Sequence, residues 1–94
     1  MITQSFLDAN LGAVRKGITC ADGFFISVQA SHFHYCSPRQ DEGPWDTVEV
    51  GFPSQPEEML LMFAEDRDKP TESVYGYVPI EIVDSVILRH GGIK

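Results

Sequence analysis

The chain has 94 residues, of which 43% are hydrophobic and 22% are charged, and its formal net charge at pH 7 is -7. A chain of this length supports one hydrophobic core, so we expect a single domain over residues 1–94 with an ordinary globular composition. The negative charge disfavours direct binding to nucleic acids and to anionic membranes, because both repel an acidic protein at long range.

The compartment is predicted from apolar runs and cysteine usage. No apolar run approaches the roughly 20 residues of a membrane-spanning helix, and the N-terminus lacks the basic and then apolar order of a secretion signal. Cys20 and Cys36 are too few for a disulfide scaffold, and in a reducing compartment each is more often a small buried hydrophobe. We therefore expect a cytoplasmic protein.

The first predicted element is a helix near the N-terminus. Leu7, Leu11 and Val14 fall on one face at helical spacing, and Gly17 is typical of a helix end. Asp22-Gly23 then predicts a tight hairpin turn, because this pair suits the positive φ angles that such turns require. The second strand of the hairpin is expected over residues 24–30, with its even-numbered side chains buried.

Beyond Ser31 the alternation of polar and apolar residues reverses. The side chains expected on the core side are Phe33 and Tyr35, and those expected on the other side are His32, His34 and Cys36. A β-bulge near Ser31 reconciles the two halves. Two imidazoles and a thiol on one face of a strand could hold zinc with a fourth ligand from Cys20 or His90, but no second ligand pair at characteristic spacing is present, and this favours the alternative of a plain strand end.

Residues 37–45 contain two prolines, a glycine and two acids and predict a surface loop. Alternation returns over residues 47–52 and predicts a third strand with Val48, Val50 and Phe52 buried.

The second half of the chain predicts three further elements. Residues 53–66 indicate one or two helical turns, and residues 73–78 indicate a fourth strand. Pro79 opens a final helix whose buried face contains Ile80, Val83 and Ile87. Together the elements predict an α+β fold, with a short antiparallel sheet of three to four strands and the N-terminal and C-terminal helices packed on one face.

The sheet face opposite the helices is the first candidate binding surface. The alternation places four side chains on it, namely Gln29, Glu49, Tyr75 and Tyr77. Tyrosine combines apolar area with a hydrogen-bonding tip, which makes it common at binding surfaces. The same phenols could instead cover a two-sided core or close a homodimer, because a sheet with unpaired edges permits one.

The second candidate surface is the acidic middle of the chain. Residues 41–72 hold ten acids against Arg67 and Lys69, so this segment carries -8 and the rest of the chain carries +1. Asp41, Glu42 and Asp46 are candidates to contact a basic surface on a partner protein. The alternative is that this charge only keeps the protein soluble.

The third candidate site belongs to an alternative function, a small-ligand or metal-binding domain. Its residues are His32, His34, Tyr35, Cys36 and Arg39. Arg39 could bind an anionic ligand, and a surface arginine in a loop is the alternative. A histidine could also activate a cysteine as a nucleophile. A domain of this size leaves little room for a pocket that excludes water, so we expect no enzyme activity and no cofactor.

Four stretches of the chain carry a resemblance. They are CADGFFISVQASHFHYCSPR at 20–39, VEVGFPS at 48–54, VYGYVP at 74–79 and HGG at 90–92. Over about three quarters of the chain, it resembles a group of small, uncharacterised proteins encoded by phages and prophages. The resemblance implies no catalytic residues. It implies a compact accessory protein that acts by binding, as inhibitors of host defence such as anti-CRISPR proteins do when they block positively charged surfaces. The leading expectation is a non-catalytic protein in the host cytoplasm that engages a host protein.

Overall fold

The computed structural model describes residues 2–12 and 14–94; position 13, which the sequence pattern assigns to the first helix, lies outside the described residues. The elements are α1 (Ile2–Ala9), β1 (Ile18–Thr19), β2 (Phe25–Gln29), β3 (Thr47–Gly51), a 3-10 helix (Glu58–Phe63), β4 (Val74–Pro79) and α2 (Ile80–Arg89). The strands form one antiparallel sheet in the order β1-β2-β3-β4, and α1 contacts α2. The α+β prediction is confirmed. Within the described ranges, none of the helices has the length and apolar character needed to cross a bilayer.

One cluster of buried side chains joins the sheet to both helices. Its strand members include Ile18, Ile26, Val28, Val48, Val50 and Val78, and its helix members include Leu7, Val83, Val86 and Ile87. Alternate residues of β2 and β3 point into this cluster as predicted, because successive side chains of a strand point to opposite faces. Burying one such aliphatic side chain contributes about 1.5–3 kcal/mol relative to leaving it in water.

The first helix is shorter than predicted. It ends at Ala9, and of the predicted apolar face only Leu7 is buried, whereas Leu11 and Val14 are exposed. Arg15, which follows the end of the helix, folds back so that its Nε donates to the Leu7 carbonyl at 3.2 Å. The same carbonyl accepts from the Asn10 N–H at 3.3 Å, so Arg15 supplies a second donor at the end of the helix.

The strand β4 contains a β-bulge. Val48 and Val50 of β3 pair with Val78 and Tyr75 of β4, so the two partners on β4 are three positions apart instead of two. The extra residue reverses the alternation of the strand. Tyr75 is consequently 0% exposed, whereas Tyr77 is 47% exposed. The prediction that both tyrosines share the open face of the sheet is wrong for Tyr75.

The reversal predicted after Ser31 is also wrong. The strand ends before Ser31, and in the irregular segment that follows His34 and Cys36 are buried while Phe33 and Tyr35 are partly exposed. Ser31 Oγ lies 2.6 Å from His34 Nδ1, and the Cys36 thiol donates to the Ser31 carbonyl at 3.2 Å. These local hydrogen bonds satisfy the polar groups that the segment buries, so the strand alternation no longer decides which side chains face the core.

Two smaller differences concern the end of β3 and the short helix. Phe52 was expected in the core but is exposed, with a left-handed backbone (φ 51°) and its N–H donating to the Ser73 carbonyl at 3.1 Å. The predicted helical turns form a 3-10 helix in which Leu60 is buried and Met62 is exposed.

Candidate functional site

Two partly exposed tyrosines meet where the bulge of β4 faces the segment after β2. The Tyr77 N–H donates to the Tyr35 carbonyl at 3.0 Å, and the ring centres are 6.1 Å apart. The Arg39 guanidinium lies 5.5 Å from the centre of the Tyr35 ring and donates to the Tyr77 hydroxyl at 2.9 Å. Both rings are thus held in place, although 43% of Tyr35 and 47% of Tyr77 are exposed.

These rings border an open recess of about 280 Å³. It is lined by Tyr35, Phe63, Ala64, Glu65, Gly76 and Tyr77. We call these residues together with Arg39 the tyrosine surface. On its border, a carboxylate oxygen of Glu49 accepts from the Tyr35 N–H at 3.0 Å. The surface therefore combines tyrosine and arginine, which are enriched in protein interfaces, with carboxylates that favour a basic partner.

The backbone of Tyr77 is in the left-handed region, with φ 54°. For a bulky residue this conformation costs on the order of 1–3 kcal/mol and persists only where the surrounding structure enforces it. Here the bulge enforces it and turns the phenol ring out of the sheet. Backbone strain of this kind is concentrated at functional positions, so Tyr77 is a candidate contact residue.

A second recess, of about 310 Å³, lies beside the C-terminal end of α1. It is lined by Leu11, Gly12, His32, Phe33, Asp41 and Glu42, and we call it the acidic recess. His32 Nδ1 is 2.8 Å from Asp41 Oδ1, and the His32 N–H donates to the same oxygen at 3.0 Å. The hydrogen bonds from the His32 side chain and backbone hold the pKa of Asp41 below its ordinary value, so this carboxylate is ionised at neutral pH.

Gln29 was predicted as a partner-binding residue, and the structure places it inside. Only 6% of it is exposed, its Oε1 accepts from the Arg15 N–H at 2.8 Å, and its Nε2 donates to the Arg15 carbonyl at 2.8 Å. The side-chain amide of Gln29 therefore provides hydrogen-bond partners for the N–H and the carbonyl of Arg15, as the backbone of a neighbouring strand would. The prediction that Gln29 faces a partner is wrong.

The other predicted partner-binding residues are divided among several places. Tyr75 is buried, and its hydroxyl donates to the Pro70 carbonyl, so its prediction as a contact residue is wrong as well. Tyr77 belongs to the tyrosine surface and Glu49 borders it. Asp41 and Glu42 line the acidic recess, while Asp46 is exposed at the start of β3.

A buried arginine is a feature that sequence reasoning missed. Arg15 donates through Nη1 to the Ala30 carbonyl at 2.7 Å, and its guanidinium lies 5.4 Å from the centre of the Trp45 ring. Burial lowers the pKa of Arg15, and the charge of Asp8 opposes that change. Its Nη2 is buried with no hydrogen-bond partner among the described residues. Its contacts are with backbone and core, so its role is structural.

The residues of the predicted ligand or metal site lie in different environments. His32 is exposed beside Asp41, His34 and Cys36 are buried, and Arg39 belongs to the tyrosine surface. Over the ranges 2–12 and 14–94, no group of three or more histidine, cysteine or acidic side chains could hold a metal ion.

Neither cysteine has the surroundings of an activated nucleophile. Both are free and buried. Burial raises the pKa of the Cys36 thiol, and burial followed by the charge of Asp22 raises that of Cys20, so each is protonated at neutral pH. His34 is the histidine nearest to Cys36 in the sequence, but its Nδ1 lies against Ser31 Oγ, and burial lowers the pKa of His34.

The third histidine joins three separate parts of the chain. His90 Nδ1 is 2.6 Å from Asp22 Oδ2 in the hairpin turn, and Nε2 is 3.0 Å from Glu57 Oε1 before the 3-10 helix. The imidazole stacks on Phe24 with 4.0 Å between ring centres, and Arg89 Nη1 is 3.5 Å from Glu57 Oε2. Because both ring nitrogens face carboxylates, His90 has no nitrogen available for a substrate or a metal.

In comparisons with known proteins, the chain matches no protein-family model, no curated protein and no solved structure.

Proposed function

We propose that this chain is a non-catalytic binding protein that engages a basic protein through the tyrosine surface. The observation that supports the proposal is that Tyr35 and Tyr77 are half exposed while they contact each other and Arg39. Tyrosine and arginine are, together with tryptophan, enriched among the residues that dominate binding energy at interfaces. Rings that are already ordered lose little conformational freedom on binding, which favours affinity.

The charge supports a basic partner. The carboxylates of Glu49 and Glu65 lie at the tyrosine surface, and the net charge of the chain is -7. Complementary charge steers the encounter of two proteins and disfavours acidic competitors.

The finer part of the proposal follows from the resemblance to phage and prophage proteins. In that setting the chain is an accessory or counter-defence factor of the anti-CRISPR-like kind, and its partner is a host protein in the cytoplasm. A small acidic protein that covers a cationic surface blocks that surface by occupancy alone. This role requires no catalytic residue.

The decisive experiment compares two matched substitutions, Tyr77→Asn and Phe52→Asn. Both residues are exposed aromatics with a left-handed backbone, and asparagine tolerates that conformation better than an aromatic residue does. We expect both variants to keep the wild-type free energy of unfolding to within about 1 kcal/mol, because relief of backbone strain offsets the lost ring contacts. Only Tyr77 belongs to the tyrosine surface.

The measurement is capture of proteins from a bacterial host lysate by the immobilised chain, followed by titration calorimetry with the captured protein. We expect wild type and Phe52→Asn to capture the same basic protein, and Tyr77→Asn to weaken its Kd at least tenfold, as loss of a central aromatic contact does. Equal affinity of all three proteins, or capture of no protein by the wild type, would contradict the proposal.

A further inference from the structure

The acidic recess has apolar walls as well as charge. Leu11 and Phe33 line it, and both side chains are about half exposed. The Phe33 ring contacts two imidazoles, with 5.2 Å between its centre and that of His32 and 4.3 Å between its centre and that of His34. One aromatic ring and one aliphatic side chain are thus accessible beside two carboxylates.

Both carboxylates of the recess have free accepting capacity. Oδ1 of Asp41 receives both bonds from His32, and within the described ranges its Oδ2 takes part in no hydrogen bond. The carboxylate of Glu42 likewise has no hydrogen-bond partner among the described residues; Gln40 donates to its backbone carbonyl instead. Each of these two acids can accept from a donor supplied by another molecule.

This combination matches the chemistry of one side chain in particular. A guanidinium is planar, stacks on aromatic rings and donates to carboxylates through paired N–H groups, while its aliphatic stem packs on apolar surface. The chain itself shows the stacking mode elsewhere, where Arg39 lies on Tyr35. A neutral or anionic side chain would leave the two carboxylates without a partner, or would be repelled by them.

We infer that the acidic recess binds one arginine side chain of a basic protein, with the guanidinium between Asp41 and Glu42 and the stem against Leu11 and Phe33. The inference rests on the proposed recognition of a basic protein, but it concerns a separate site from the tyrosine surface. The segment of residues 31–43 contributes to both recesses, with Phe33 in one and Tyr35 in the other.

The test uses a short peptide in place of the partner. The probe is N-acetyl-Gly-Arg-Gly-amide, and the control is the same peptide with citrulline, which keeps the shape of arginine and removes its charge. Binding is followed in amide spectra of the isotope-labelled chain. We expect the arginine peptide to shift the amides of Leu11, Gly12, His32 and Phe33 at millimolar concentration, and the citrulline peptide to leave them in place.

Two matched variants locate the binding. Glu42→Gln removes one carboxylate from the recess, and Glu72→Gln removes an exposed carboxylate of the same acidic segment outside it. We expect Glu42→Gln to weaken the Kd roughly threefold to fivefold, as loss of one exposed ion pair does, and Glu72→Gln to leave it unchanged. Shifts spread along residues 41–72, equal effects of the two variants, equal shifts from both peptides or no shifts at all would overturn the inference.

The same titration separates this inference from the proposed function. Tyr77→Asn leaves the acidic recess intact, so we expect it to bind the arginine peptide like the wild type. Peptide binding without capture of a protein partner would refute the proposed function alone. Capture that depends on Tyr77 without peptide binding would refute the arginine site alone.

Discussion

At the scale of single residues, His90 links the C-terminal end of α2 to the hairpin turn and to the segment before the 3-10 helix. Burial would lower its pKa, but the hydrogen bonds to Asp22 and Glu57, together with their charges, outweigh burial and raise the pKa above the ordinary value of 6.5. The pKa of Asp22 is lowered, first by the hydrogen bond from the Phe24 N–H and then by His90. The two shifts favour the state in which the imidazole and the carboxylate are both charged.

These shifts predict how stability depends on pH. A raised folded-state pKa of His90 means that its contribution to the free energy of unfolding is complete below pH 6.5 and is lost as pH rises through the folded-state value. The lowered pKa of Asp22 means that its contribution is present above pH 3.8 and is lost as pH falls through the folded-state value. We therefore expect the contribution of Asp22 and His90 to the free energy of unfolding to be largest between pH 3.8 and pH 6.5.

The measurement is the free energy of unfolding from denaturant titrations between pH 5 and pH 9. The wild type should lose stability over this range, and His90→Gln should lose less, because glutamine does not titrate. The control is Gln55→Ala at an exposed position, which leaves all three histidines in place and should follow the wild-type profile. Parallel profiles of wild type and His90→Gln would show that the charged His90 does not support the fold.

At the scale of elements, the connection between α1 and β1 is held by a side chain instead of a strand. Gln29 at the end of β2 bonds to both backbone groups of Arg15, and Arg15 in turn bonds to the carbonyls of Leu7 and Ala30. Buried backbone groups require partners, and here the side chain of a strand residue provides them instead of the strand backbone. One glutamine and one arginine thus attach an irregular segment to the sheet and to the end of the first helix.

Replacing this glutamine should therefore destabilise the fold. Gln29→Ala removes two buried hydrogen bonds and leaves the N–H and the carbonyl of Arg15 without partners, so we expect a loss of about 2 kcal/mol in the free energy of unfolding. The control is Gln55→Ala at an exposed position, expected to change stability by less than about 0.5 kcal/mol. The measurement is chemical denaturation monitored by circular dichroism. Equal stability of the two variants would assign Gln29 no structural role.

At the scale of the whole molecule, the charge is unevenly distributed along the chain. Residues 41–72 carry -8 and the rest carries +1, in a molecule whose extents are 30 × 27 × 20 Å. At physiological ionic strength, charges are screened over about 8 Å. A partner close to the surface therefore responds mainly to the acids near its contact, and charges on the far side matter little.

Salt should accordingly slow association with the basic partner. Raising the salt concentration from 0.05 M to 0.5 M should lower the association rate by about tenfold or more and change the dissociation rate less, because steering acts before contact. The measurement is biolayer interferometry with the captured protein. Glu65→Gln at the tyrosine surface should reduce the salt dependence, and Glu81→Gln on α2 should not. An association rate that is insensitive to salt would show that charge does not guide recognition.

Much of the architecture could be predicted from the sequence because it depends on local patterns. Three local patterns were sufficient: the alternation in β2 and β3, the Asp22-Gly23 turn and the amphipathic helix after Pro79. Together they predict which apolar side chains pack on one face of the sheet. The net charge follows from the composition. The spacing of Cys20 and Cys36 likewise shows that the two cysteines do not form a zinc-binding sequence pattern. These features require no knowledge of which segments meet.

The candidate surfaces depended on contacts between distant segments, and only the tertiary structure decided them. The single glycine of Tyr75-Gly76-Tyr77 was a signal for a bulge, since an isolated glycine in a strand often marks one, but the register with β3 decides which tyrosine turns outward. Likewise the exposure of Phe33 and the burial of His34 follow from hydrogen bonds around Ser31 instead of strand alternation. Whether a strand side chain is buried or exposed depends on how the strand pairs with its neighbour. A shift of one residue in that pairing moves a buried side chain to the solvent face and an exposed one to the core.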